Sequence, residues 1–163
     1  MADLVAAGPE EARRWVTDDR LGEALDRATD LAARRADTEE AAGALGTSGY
    51  VVHTVPFALF CFLRFGDDVL LALQEAIGAG GDTDSVAAIL GAWLGARHGE
   101  TGLPSGLLSR MHDGPFGPSH LRSLALALAN GSPPPRYSWP AALGRNLALL
   151  PVVLAHGFRR LLP

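Results

Sequence analysis

"GAGGDTDSVAAILGAWLGARHG", Gly78 to Gly99, places two aspartates, Asp82 and Asp84, behind paired glycines and directly before an apolar segment. From about Ser85 to Arg97, the residues Val86, Ile89, Leu90, Trp93 and Leu94 recur at helical spacing. Ala87, Ala88, Gly91, Ala92, Gly95 and Ala96 keep the rest of the circumference small. A helix apolar nearly all round belongs at the centre of a bundle, with neighbours packed closely against it. Gly80 and Gly81 permit a sharp turn and a close approach of backbone to ligand. Inside a regular helix, carboxylates at i and i+2 point apart; just before its first turn both can converge. With the hydroxyls of Thr83 and Ser85 they make a compact group of hard oxygen donors, suited to Mg²⁺, Mn²⁺ or Ca²⁺ rather than zinc. The loop glycine and distal glutamate of an EF-hand are missing. The competing reading is helix capping, which needs one acid. Two acids beside so apolar a helix would repel each other unless a divalent cation compensated them.

Working outward, the flanking segments also read as helices. Upstream, "SGYVVHTVPFALFCFLRF" opens with β-branched residues but is long and continuously apolar, which predicts a buried helix from about Thr54 to Phe65 with Pro56 in its first turn. "GDDVLLALQEAIGAG" predicts a helix with an acidic cap, an apolar face of Val69, Leu70, Leu73, Ala76 and Ile77, and a glycine stop. "TEEAAGALG" carries a capping threonine, Thr38, and ends on glycine. Leu21, Ala24, Leu25, Ala28, Leu31 and Ala32 mark another helix, closed by Arg34 and Arg35, and Gly8 to Glu11 is a good helix start. Downstream, 99–118 is glycine- and proline-rich loop, "PSHLRSLALALANG" is helical, and 131–140 is a stiff proline-rich linker in which Trp139 is expected to anchor the strap to the body. A last helix runs from about Ala141 to Leu162. No internal repeat and no sustained alternation is present, so the expected fold is all-α: one domain over 1–163, a compact bundle of about seven helices with Asp82 and Asp84 at its inner end.

Composition narrows the function. The chain has 163 residues, 48% hydrophobic and 20% charged, with net charge -4. That is globular, and it advertises no basic surface for nucleic acid. Cys61 is the single cysteine, so no internal disulfide forms, and a reducing cytoplasm is expected. The N-terminus lacks an apolar signal core, and "LALLPVVLAHGF" is a run of about a dozen residues, short of a membrane span, so a soluble chain without membrane contact is expected. "GAGGDT" lacks the third glycine of a dinucleotide fingerprint and follows a helix rather than a strand. Asp-x-Asp glycosyltransferases are α/β proteins, and strands are lacking here. No two of the five histidines have the i, i+4 spacing of a helical metal site. His98 reads as a helix-end residue, His53 as a hydrogen-bonded core residue, and Trp93 as core.

Taken together, "GGDTDS" with its alanine- and glycine-rich helix, and the upstream "SGYVVHT" turn with its apolar helix, resemble the ADP-ribosylglycohydrolase family from about Leu21 to Pro104. The ending "GRNLALLPVVLAHGFRRLLP" is similar to the tail of some bacterial members. The resemblance implies an all-α fold with a binuclear Mg²⁺ or Mn²⁺ centre that cleaves a glycosidic bond to ADP-ribose. Its substrates would be an ADP-ribosylated protein or a small molecule containing ADP-ribose. By motif position Asp82, Asp84 and Ser85 match metal ligands, serine standing where the family has threonine. Ser48, Gly49 and Tyr50, with Gly80 and Gly81, match segments lining the ADP-ribose site; Tyr50 reads equally as a core tyrosine. Members are usually close to twice this length, and their N-terminal half supplies a Thr-Asp-Asp motif and the residue often assigned as acid or base. This chain begins too late for that half, and "VTDDR", Thr17 to Asp19, reads as a helix cap. The expectation is therefore a hydrolase fragment, weak or inactive alone, that self-associates or needs a complementing N-terminal half. The alternative is a non-catalytic helical module binding ADP-ribose or a protein.

Overall fold

A computed structural model describes residues 16–161. The helix start at Gly8 to Glu11 lies outside them. The described residues are all-α, and the helices are α1 Asp19–Ala33, α2 Thr38–Leu45, α3 Val51–Phe65, α4 Val69–Gly78, α5 Thr83–His98, α6 Ser105–Leu108, α7 Pro118–Ala129 and α8 Trp139–Leu161. A 3₁₀ turn, Glu100–Gly102, follows α5. Residues through Pro104 form one compact unit and those from Ser105 a second.

The first unit is built around α3, which packs against α1, α2, α4 and α5. Phe57, Ala58, Phe60 and Cys61 are wholly buried in it, alongside Leu90 and Leu94 of α5 and Ala72 of α4. Helix α3 starts three residues earlier than the sequence predicts, and Pro56 falls in its second turn. Thr54 explains the early start. Its buried hydroxyl donates to the carbonyls of Ser48 (2.8 Å) and Tyr50 (3.2 Å), which gathers the entering chain into the first turn. Pro56 forfeits one i→i−4 bond but is itself buried in the core, and the apolar contacts of both flanking turns keep the helix intact.

Helix α5 is thus a flank of the bundle and not its centre. Val86, Leu90 and Leu94 are buried, with Ile89 and Trp93 packed beside them. Trp93 stands edge-on to Phe62, with ring centroids 5.9 Å apart. On the other side Ala88, Ala92 and Ala96 are exposed, so the close packing expected all round is found on one side only. His98 Nε2 lies 2.6 Å from the Gly66 carbonyl, and Arg97 pairs with Asp67, tying the end of α5 to the α3–α4 turn.

Three further expectations are corrected. Asp37, not Thr38, caps α2, its carboxylate accepting the Glu40 N–H at 2.8 Å; Thr38 instead donates its hydroxyl to Glu75 of α4. In α4 the buried face is Val69, Ala72 and Ala76, while Leu70 and Ile77 are exposed, because α4 turns its small residues toward α3 and α5. Trp139 is 64% exposed and opens α8 rather than lying in the linker. Asp18 caps α1 through the Leu21 N–H, as "VTDDR" predicts.

In the second unit Asp113 tethers the start of α7. Its carboxylate accepts the Ser119 N–H and hydroxyl, and these bonds hold its pKa below the usual carboxylate value. Phe116, at φ 67, lies against His120 and Tyr137, with ring centroids 5.3 and 5.0 Å away. Arg145 of α8 donates to the Pro115 carbonyl at 2.7 Å. Pro151 does not break α8, and the apolar stretch is longer than the dozen residues read from sequence. Over Trp139–Arg159 this helix is long and apolar enough to cross a membrane, and that window is not buried.

Candidate functional site

Two turns meet where α3 and α5 begin. The first is Ser48-Gly49-Tyr50. The second is Gly80-Gly81-Asp82, with both glycines at positive φ (75° and 78°), a conformation that strains any other residue. The two are stitched by the Asp82 N–H, which donates to the Thr47 carbonyl at 2.7 Å. Gly81 passes so close to Thr47 that a Cβ would collide with the Thr47 carbonyl and hydroxyl oxygens. Gly49 is equally constrained, since a Cβ there would sit 2.7 Å from Asp82 Oδ2. A glycine in each turn therefore makes room for the other turn.

Asp82 occupies the N-cap position of α5 but makes no side-chain cap bond. Its half-buried carboxylate faces Gly49. Asp84 lies in the first turn and is exposed. The nearby Asp82 side chain first, then the backbone N–H groups at Asp84 and Ser85, hold the Asp84 carboxyl below its ordinary value. Asp84 being exposed, the pair does not sit at the inner end of the bundle, where the sequence reading placed it. Ser85 is half-buried, and its hydroxyl makes no hydrogen bond among the described residues.

In the other turn, Ser48 Oγ lies 2.8 Å from His53 Nδ1 and receives the Tyr50 N–H at 3.4 Å. His53 is half-buried and hydrogen-bonded. Tyr50 is 47% exposed, its ring edge-on to His53 at 5.5 Å, which removes the core-tyrosine reading. Sequence reasoning missed Thr47, whose carbonyl joins the turns. Its position directly before "SGY" carries no signal, since only the fold brings it to Asp82.

Two carboxylates and an unpartnered hydroxyl are hard oxygen donors that fit one side of a Mg²⁺ or Mn²⁺ shell. Among the described residues no group of three His, Cys, Asp or Glu side chains gathers to close such a shell.

The ADP-ribosylglycohydrolase family profile matches residues 1–137. The chain belongs to the ADP-ribosylglycohydrolase family. The match takes in both turns and α1 to α7, and stops before α8. An uncharacterized protein of Archaeoglobus fulgidus is 39% identical over 90 residues, 54% of this chain and 28% of the relative. The matched stretch therefore covers well under half of that relative's length. No solved structure matches the chain.

Proposed function

We propose that this chain carries half of the metal site of an ADP-ribosylglycohydrolase, cleaving the glycosidic bond to ADP-ribose once a complementary acidic segment completes the site. The observation that carries the reading is the Asp82 carboxylate. It stands at a helix cap without capping, lies near Asp84, and is given room by Gly49. In this reading Asp82, Asp84 and Ser85 hold Mg²⁺ or Mn²⁺, which supplies the charge that binds vicinal hydroxyls and polarises water. Ser48, Gly49 and Tyr50, with Gly80 and Gly81, border the sugar-nucleotide, the exposed Tyr50 ring offering a stacking face. The substrate is an ADP-ribosylated protein or small molecule.

The test is thermal. Added Mn²⁺ should raise the melting temperature of the chain, and Asp84→Ala should abolish that rise, each protein being compared with its own unliganded melting point. An equal rise in the variant removes the metal assignment. The purified chain alone should release ADP-ribose weakly or not at all, and mixing with the N-terminal half of a longer family member should restore release. If ADP-ribose binds without Mn²⁺, and the mixture stays inactive, the non-catalytic binding module is the better reading.

A further inference from the structure

The chain separates its charge along its length. No aspartate or glutamate follows Asp113, whereas Arg122, Arg136, Arg145, Arg159 and Arg160 all do. The net charge of -4 therefore hides an acidic first unit and a second unit, from Ser105, whose only acid is Asp113. The longest helix, α8, lies in that basic portion and contains no acid at all. Such segregation marks attraction to a polyanionic surface.

Helix α8 is also two-sided. Trp139, Leu143, Leu147, Leu150, Leu154 and Phe158 recur at steps of three and four, forming one continuous stripe 49–64% exposed. Arg145, His156 and Arg159 fall on the opposite side, which also carries the exposed Leu149 and Val152. An apolar stripe with aromatics at both ends, backed by arginines and free of acids, matches a helix lying in a membrane interface. A spanning helix fits less well: Arg145, Asn146 and His156 lie inside the apolar window and would enter hydrocarbon. A second copy fits less well too, because α8 offers no acid to pair with another α8's arginines.

We propose that α8 lies on an anionic phospholipid bilayer, its leucine stripe in the acyl boundary and the basic second unit against the headgroups. This does not depend on the metal reading, since neither turn of that site contributes to it. The test is co-sedimentation of the full chain with phosphatidylcholine vesicles, with and without phosphatidylserine. Binding should require phosphatidylserine and be reversed by high salt. Arg159→Glu with Arg160→Glu should weaken it at least fivefold per charge. Leu147→Glu with Leu150→Glu should abolish it while leaving the far-ultraviolet helical signal intact, because both side chains are exposed. Failure to bind phosphatidylserine vesicles overturns the proposal, as does equal binding to neutral vesicles or retention of the protein in high salt. A dimer that the leucine variant dissociates also overturns it, by assigning the stripe to a second copy.

Discussion

At Gly49 a single hydrogen atom separates the two turns of the site. Gly49→Ala would place a methyl 2.7 Å from Asp82 Oδ2, and the carboxylate, the tip of a side chain, can move away. The cost in unliganded stability should thus be small, about 0.5 kcal/mol. The effect on cation binding should be large, because the displaced oxygen is the one proposed to ligate. At a hundred times Kd the wild-type chain should gain roughly 5–10 °C with Mn²⁺. Gly49→Ala should lose most of that gain, and differential scanning fluorimetry with and without Mn²⁺ measures both quantities. Cys61 offers a second single-residue prediction. It is fully buried, and burial, then the nearby Glu75 charge, pushes its thiol from 9.0 up to about 12. A raised folded pKa contributes stability that is complete below the unfolded value and disappears as pH climbs toward the folded one. Midpoints from urea titrations should fall between pH 9.0 and about 12, and Cys61→Ser should flatten that slope. At neutral pH a thiol reagent should modify Cys61 no faster than the chain unfolds. The glycine turn before α5 was legible because paired glycines followed by an aspartate are a local signal for a turn into a helix. Thr47 and the mutual fit of Gly49 and Gly81 were not, since each depends on a residue more than thirty positions away.

Helices were legible wherever large apolar residues alone define a face. In α5, Val86, Leu90 and Leu94 are buried as their spacing requires. In α4 that logic misassigned Leu70 and Ile77, because the helix turns Val69, Ala72 and Ala76 to its neighbours and leaves those two exposed. Size complementarity between elements is a tertiary property, and periodicity within one helix does not contain it. The same holds for α3, whose role as hub follows from contacts with four other helices. Phe57 and Phe60 are wholly buried there and stack with centroids 6.2 Å apart. Phe60→Ala should therefore cost about 3–5 kcal/mol in a urea titration, enough to unfold a marginal unit, whereas Leu70→Ala should cost under about 1 kcal/mol. The cap of α2 is a finer case. Asp37 and Thr38 are both capping residues, and Thr38 is drawn away by Glu75. Asp37→Ala should destabilise by about 1 kcal/mol in the same assay.

For the whole molecule, the apolar core of the first unit is contributed entirely by residues before Pro104, with Leu103 as its last packed member. A chain ending at Pro104 should thus keep a cooperative thermal transition and the Mn²⁺-dependent rise in melting temperature, since Asp82, Asp84 and Ser85 all lie within it. It should lose any affinity for anionic vesicles, since α8 and the basic residues after Asp113 are gone. Calorimetry of the shortened chain, followed by vesicle sedimentation, separates the two properties. A gradual, non-cooperative melt would show that the second unit is needed to hold the first together. Loss of the Mn²⁺ response with the fold intact would place a needed ligand after Pro104, and the paired aspartates would no longer suffice as the chain's own contribution to the site.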